Sequence, residues 1–179
     1  VILKQYGYDL APQHNYSSMN GTTPLVPKSG AKSFSRQQMI ELYKQASIKV
    51  KYADNFLVLR FPDDHYIKQK YAPFTKIKDQ WVMKRPDGIL PIYCENQKPE
   101  DYVVINEGEK ALLGCKSIYD GDVCTWHGGV NNLDKQDWTP LKDRKVIIFP
   151  DNDEAGKKCS EELKEKLSQI ATEVIIVKP

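Results

Sequence analysis

The sequence predicts an α/β protein, with a mostly parallel sheet over residues 99–179 and a small α+β lobe ahead of it over residues 35–98. Two observations carry this expectation. After Pro99, continuous apolar runs alternate with helical stripes, as in strands covered on both faces and joined by helices. Before Pro99, short runs of β-forming residues are broken at close intervals by Pro, Gly and Asp, which suits an antiparallel sheet.

Residues 1–34 are rich in Gly, Pro, Ser, Asn and Thr, with NYSSMNGTTPLVPKSG at their centre. Such a stretch buries too little surface to offset its ordering entropy and reads as a flexible arm or linker. Val1 in place of Met is expected of a piece of a longer protein. A helix is expected from Ser35, because Ser-Arg-Gln-Gln sets a capping hydroxyl three residues before an amide side chain. Met39, Leu42, Tyr43 and Ala46 then share one face. Phe56–Phe61 reads as a strand, Pro62–Asp64 as a turn, and His65–Tyr71 as a further extended run. Gln80–Met83 is another strand, followed by the turn Arg85-Pro86-Asp87-Gly88 and by Leu90–Tyr93.

In the second half, strands are expected at Tyr102–Ile105, Asp122–Trp126, Lys145–Phe149 and Glu173–Val177. A helix is expected from Glu109 to Lys116, and Ala155, Cys159, Leu163, Leu167 and Ile170 form a helical stripe between the last two strands. The hydrophobic content of 40% is enough for a core in a chain of 179 residues. Its 26 basic and 24 acidic residues leave a net charge of only +2, so charge alone does not announce a nucleic-acid partner. No apolar run approaches the length that spans a membrane. Cys94, Cys115, Cys124 and Cys159, with His14, His65 and His127, form no zinc-ligand spacing. They are expected as reduced, buried thiols of a cytoplasmic protein.

In a parallel sheet the carboxyl ends of the strands open on one edge, where ligands bind. Two of the expected strands run out into acids there, Glu107 after the first and Asp151-Asn152-Asp153 after the third. Converging carboxylates repel one another and stay ionised most readily around a cation. Magnesium prefers oxygen ligands and commonly takes one or two carboxylates together with substrate phosphates. Asp151 and Asp153 are therefore candidate metal ligands. Glu107 is a candidate for a further ligand or for a general base. Asp153 is also well placed simply to cap the following helix.

These residues resemble a Toprim domain, the fold of DnaG-type primases, topoisomerases and some nucleases. The likeness covers Tyr102–Pro179 and rests on VVINEGEK, KVIIFPDNDEAGKK and EVIIVKP. The stretch TWHGGVNNLDKQDWTPLKDRKVIIFPDNDEAG is similar to the Toprim module of phage and plasmid primases and primase-helicases. Residues 52–95 resemble, more loosely, the lobe that precedes it there. The resemblance implies Glu107 as the catalytic acid, and Asp151 and Asp153, with Glu107, as ligands of magnesium or manganese. It also implies phosphate contacts from Lys110 and the Gly128-Gly129 turn. The implied activity is priming of DNA replication by nucleotidyl transfer, with a single-stranded DNA template, nucleoside triphosphates and a helicase domain as partners. Ala111 departs from the bacterial primases, which usually have an Asp four residues after the first Glu, and the zinc-binding module often found ahead of primase domains is absent from the chain.

Between Arg60 and Arg85, seven basic residues stand against three acids, with Tyr66, Tyr71, Phe74 and Trp81 interleaved. Basic groups that follow a phosphate backbone, alternating with rings that stack on bases, are a common way to hold a single strand. Arg60, Lys68, Lys70, Lys84 and Arg85 are the candidate contacts. A half-exposed strand with its aromatic face in the core gives the same pattern. A Toprim nuclease and a non-catalytic template-binding module of a replication protein are the alternatives to a primase.

Overall fold

A computed structural model describes residues 31–177, so all but the last few residues of the expected arm lie outside the described residues. The described chain divides into two compact units. One holds residues 31–93 and 134–137, the other residues 94–133 and 138–177.

The first unit is built on strands β1 (Ser33–Phe34), β2 (Ile48–Ala53), β3 (Phe56–Arg60), β4 (Tyr71–Ile77) and β5 (Gln80–Val82). They form one sheet in the order β1-β5-β4-β3-β2, with every neighbouring pair antiparallel. Helix α1 (Arg36–Gln45) starts at the expected capping box. The Gln38 N–H donates to Ser35 Oγ at 3.3 Å, and the Ser35 N–H donates to Gln38 Oε1 at 2.8 Å. Two donors that the first turn would leave orphaned are thereby satisfied. The expected face of Met39, Leu42, Tyr43 and Ala46 is buried.

Three expectations for this unit are corrected. Ser33 and Phe34, expected in the arm, are strand, paired with Val82 and Trp81. His65–Tyr71 is not extended as expected. His65 Nδ1 accepts the Ile67 N–H at 3.1 Å, a local bond that competes with ladder pairing, and the strand begins only at Tyr71. Phe74 is fully buried and meets the Phe34 ring edge-on at 5.6 Å, so it belongs to the core and offers no face to a base. Two short strands complete this part of the chain. β6 (Leu90–Pro91) pairs in parallel with β10 (Gln136–Asp137).

The second unit carries β7 (Tyr93–Cys94) at the edge of a sheet with β8 (Tyr102–Glu107), β9 (Val123–Trp126), β11 (Lys145–Phe149) and β12 (Glu173–Ile176). Its order is β12-β11-β8-β9-β7, and β8, β9, β11 and β12 run parallel. Helix α2 (Gly108–Lys116) packs on β8 and β9, and α3 (Glu154–Leu167) packs on β11 and β12. Val103, Ile105, Val146, Ile148, Leu163 and Leu167 are almost wholly buried. At roughly 1.5–3 kcal/mol for each large aliphatic side chain, this layer stabilises the parallel arrangement that aligns the strand ends.

The boundary between the units falls at residues 93 and 94, not at 98 and 99 as expected. The reason is a buried pair at the amino ends of the strands. Asp122, just before β9, accepts the N–H groups of Gln97 and Lys98 at 2.8 and 3.1 Å. Arg144, just before β11, donates to Asp122 at 2.9 Å and to Asn96 at 2.9 Å. The 95–98 segment is thereby fixed to the second unit.

The expectation of four reduced thiols is also corrected. Cys94 and Cys124, on the neighbouring strands β7 and β9, form a disulfide with their Cα atoms 4.2 Å apart. Cys115 and Cys159 are free and buried. No helix among the described residues is long and apolar enough to cross a membrane.

Candidate metal and phosphate site

The carboxyl ends of β8 and β11 lie side by side, with Phe149 in register with Asn106. Glu107, the last residue of β8, and Pro150, the first beyond β11, therefore stand at one edge of the sheet. Gly108 has φ +80°, a conformation that L side chains rarely adopt, and it turns the strand directly into α2. This keeps Glu107 at the junction, half-buried.

The backbone N–H of Val130, in the turn after β9, and the thiol of Cys159, on α3, lie near enough to the Glu107 carboxylate to favour its charged form. Its pKa is raised, first by burial and then by the negative charges of Asp151 and Asp153, while the Val130 N–H opposes the shift. The same surroundings push the Cys159 thiol up to about 12, chiefly by burial and then by the Glu107 charge. Gly129 presses on the site as well. A Cβ there would lie 3.0 Å from Glu107 Oε1, and its φ is +62°.

Asp151 and Asp153 are exposed in the loop between β11 and α3. Asp153 does cap α3. Its Oδ1 accepts the Gly156 N–H at 2.7 Å, and its own N–H donates to the Asp151 carbonyl at 2.9 Å. The loop lies so close to the helix that a Cβ on Gly156 would come within 2.4 Å of the Asp151 carbonyl oxygen. Gly156 is thus part of the local architecture that fixes both acids, a role that sequence pattern gave no reason to suspect.

The fold brings Glu107, Asp151 and Asp153 to one edge, close enough for each Asp charge to act on Glu107. Among the described residues, no three His, Cys, Asp or Glu side chains gather closely enough to enclose a metal ion. The donor set still fits magnesium, because all three groups are hard carboxylate oxygens and this ion commonly keeps water in its remaining positions. Lys110 lies exposed on α2, and Gly128 (φ +98°) and Gly129 form the turn beside Glu107. Trp126 and Trp138 pack edge-on at 5.8 Å.

Residues 107–179 match the Toprim-like family. Toprim domains occur in primases and nucleases and bind divalent metal ions, so this segment points to a metal-dependent function on nucleic acid. No curated protein and no solved structure gives a significant match to the chain. The Toprim-like segment begins at Glu107, the last residue of β8, so the rest of that strand precedes the matched stretch.

The other candidate contacts belong to the first unit. Lys68 and Lys70 are exposed, Tyr66 is 62% exposed, and Arg60 lies over the Tyr71 ring at 5.7 Å. Lys84 pairs with Asp87 at 2.7 Å, and Arg85 is partly exposed. Sequence reasoning also missed the pairing of the buried Glu109 with His127 in the second unit. Their Oε1 and Nδ1 atoms are 2.9 Å apart. Two residues that are 18 apart carry no local signal of such a contact.

Proposed function

We propose that the Toprim-like segment is the catalytic centre of a primase-type nucleotidyltransferase, which joins nucleotides on a single-stranded DNA template. The observation that carries this reading is the half-buried Glu107 flanked by two exposed aspartates at the carboxyl edge of a parallel sheet. Asp151 and Asp153 would hold magnesium or manganese, with Glu107 as a further ligand or as the base. The ion would neutralise charge on the phosphates as the bond to the leaving group weakens. Glu107 is suited to take the proton of the attacking 3′-hydroxyl. A raised pKa makes its ionised form a stronger acceptor than a solvated carboxylate. The close approach of Gly129 would limit the orientations from which it does so. Lys110 and the Gly128-Gly129 turn would contact phosphate, and Arg60, Lys68, Lys70, Lys84 and Arg85 would follow the template backbone. Nucleoside triphosphates are the substrates, and a helicase domain is the expected companion. A cytoplasmic setting belongs to this reading, although the Cys94–Cys124 bridge is unusual for a reducing compartment.

A second reading has its own support. Asp153 Oδ1 is engaged in capping α3, and the three acids do not form a closed cluster. Both features suit a module that binds template without turnover. The test is incubation of the protein with single-stranded DNA, labelled nucleoside triphosphates and magnesium. Template-dependent dinucleotides that vanish with Glu107→Gln support the primase. Strand cleavage by attack of water identifies a nuclease instead, and DNA binding with neither product identifies the module.

A further inference from the structure

We propose that Glu109 is a positioning residue for Glu107, acting through His127; this rests on the reading of Glu107 as part of a metal centre. Glu109 lies in the first turn of α2 and is only 4% exposed. A side chain that deep needs hydrogen-bond partners, and His127 Nδ1 lies 2.9 Å from its Oε1. In the tautomer that carries its proton on Nδ1, His127 donates to this carboxylate.

His127 is the first residue beyond β9 and opens the turn that confines Glu107. Gly128 and Gly129 follow with φ +98° and +62°, Gly129 comes up against Glu107 Oε1, and the backbone N–H of Val130 next in the chain favours the charged form of that carboxylate. Two successive glycines give a turn little stiffness of its own. Its geometry is set by its anchors. Asn132 Nδ2 donates to the Gly128 carbonyl at 2.6 Å, and Trp126 Nε1 donates to the Gly129 carbonyl at 3.1 Å. The Glu109–His127 contact differs from these two because it ties the turn to α2, the helix that starts directly after Glu107. The carboxylate and the turn beside it are thereby referenced to one rigid element. With only 3.0 Å between Oε1 and a Cβ position on Gly129, a small displacement of the turn changes which orientations Glu107 can adopt. The arrangement is a carboxylate–histidine clamp on the orientation of a metal ligand, and partners of this kind commonly change metal affinity by about 10–100-fold.

The experiment compares manganese binding by calorimetry in the full chain with detection of the His127 Nδ1–H by nitrogen-15 NMR. Glu109→Ala and His127→Ala remove the contact. Glu109→Gln keeps an acceptor and His127→Asn keeps a donor at the place of Nδ1. The expected result is manganese affinity weakened about tenfold in the two alanine variants and restored to within about threefold in the conservative ones. The Nδ1–H signal should be present in the wild type and in Glu109→Gln, and absent from Glu109→Ala. If Glu109→Ala does not fold, the His127 pair of variants is read alone. Alanine variants that bind manganese as tightly as the wild type overturn the proposal while leaving the metal centre intact, and so do conservative variants that fall as far as the alanine ones. A wild type that binds no manganese overturns the metal centre and this inference with it.

Discussion

The two edges of the second unit's sheet treat buried acid in opposite ways. At the amino edge, Asp122 is 1% exposed and is answered by the Arg144 guanidinium and by two backbone N–H groups. At the carboxyl edge, Glu107 is only half-buried and its strongest charged neighbours are like-charged aspartates, opposed by a nearby backbone N–H and a thiol. Asp122 is placed where structure needs an anion, and the surrounding groups complete it. Glu107 is placed where the structure leaves negative charge uncompensated, which is the condition under which a cation from outside binds. Two acids of one sheet can therefore be sorted into a structural role and a functional one by asking what each is given as a partner.

The largest expected effect is on the structural side. Arg144→Ala leaves Asp122 buried without its cation, and urea unfolding should show a loss of about 3–5 kcal/mol. If the loss is under about 1 kcal/mol, the amino edge is not the lock described above. Reduction of Cys94–Cys124, or the double change to serine, removes a cross-link across 30 residues, and the chain-entropy estimate is a loss of about 3–4 kcal/mol. Thermal unfolding with and without reductant measures it, and an unchanged transition would show that β7 is held without the bridge.

Smaller effects sharpen the carboxyl edge. Asp153→Ala should destabilise by about 1 kcal/mol through loss of the α3 cap, whereas Asp153→Asn, which keeps an acceptor oxygen, should lose only a few tenths. Asp151→Asn should leave stability nearly unchanged, because its exposed side chain is not part of the cap. The smallest effect is the pH dependence of Glu107. Its folded pKa is raised, so the folded state holds the proton longer, and stability falls as pH rises from the ordinary value of 4.5 through the folded one. Glu107→Gln abolishes that fall. At neutral pH it should raise the melting temperature by about a degree or two, kept small by solvent screening, and the gain should vanish below pH 4.5. A variant that is less stable at neutral pH would show that the carboxylate is stabilised where it stands.

The same contrast separates what could be read from sequence from what could not. Local signals were legible. The Ser35–Gln38 capping box, the apolar runs of β8 and β11, and the spacing of Cys159, Leu163 and Leu167 each specify an element within a few residues. Even there, tertiary packing changed the detail. The first turn of α3 buries Gly156 and exposes Ala155, because the Asp151–Asp153 loop lies against it. Strand β4 was obscured by Pro73, which would ordinarily argue against a strand between two others, yet it pairs with Val58 at the centre of the sheet. The Cys94–Cys124, Asp122–Arg144 and Glu109–His127 contacts join residues 18–30 apart, and no periodicity or short motif records them. The acids at the carboxyl edge were legible because topology alone aligns parallel strand ends. Their partners were not, since those come from side chains and backbone elsewhere in the fold.

The most direct test of the central claim is divalent-metal binding by calorimetry, comparing the wild type with Asp151→Asn/Asp153→Asn, which keeps the cap and removes the charge. A magnesium or manganese signal in the wild type that is lost in the double variant is the predicted result. A signal unchanged in the variant, or none in the wild type, would contradict the assignment of this edge as a metal centre.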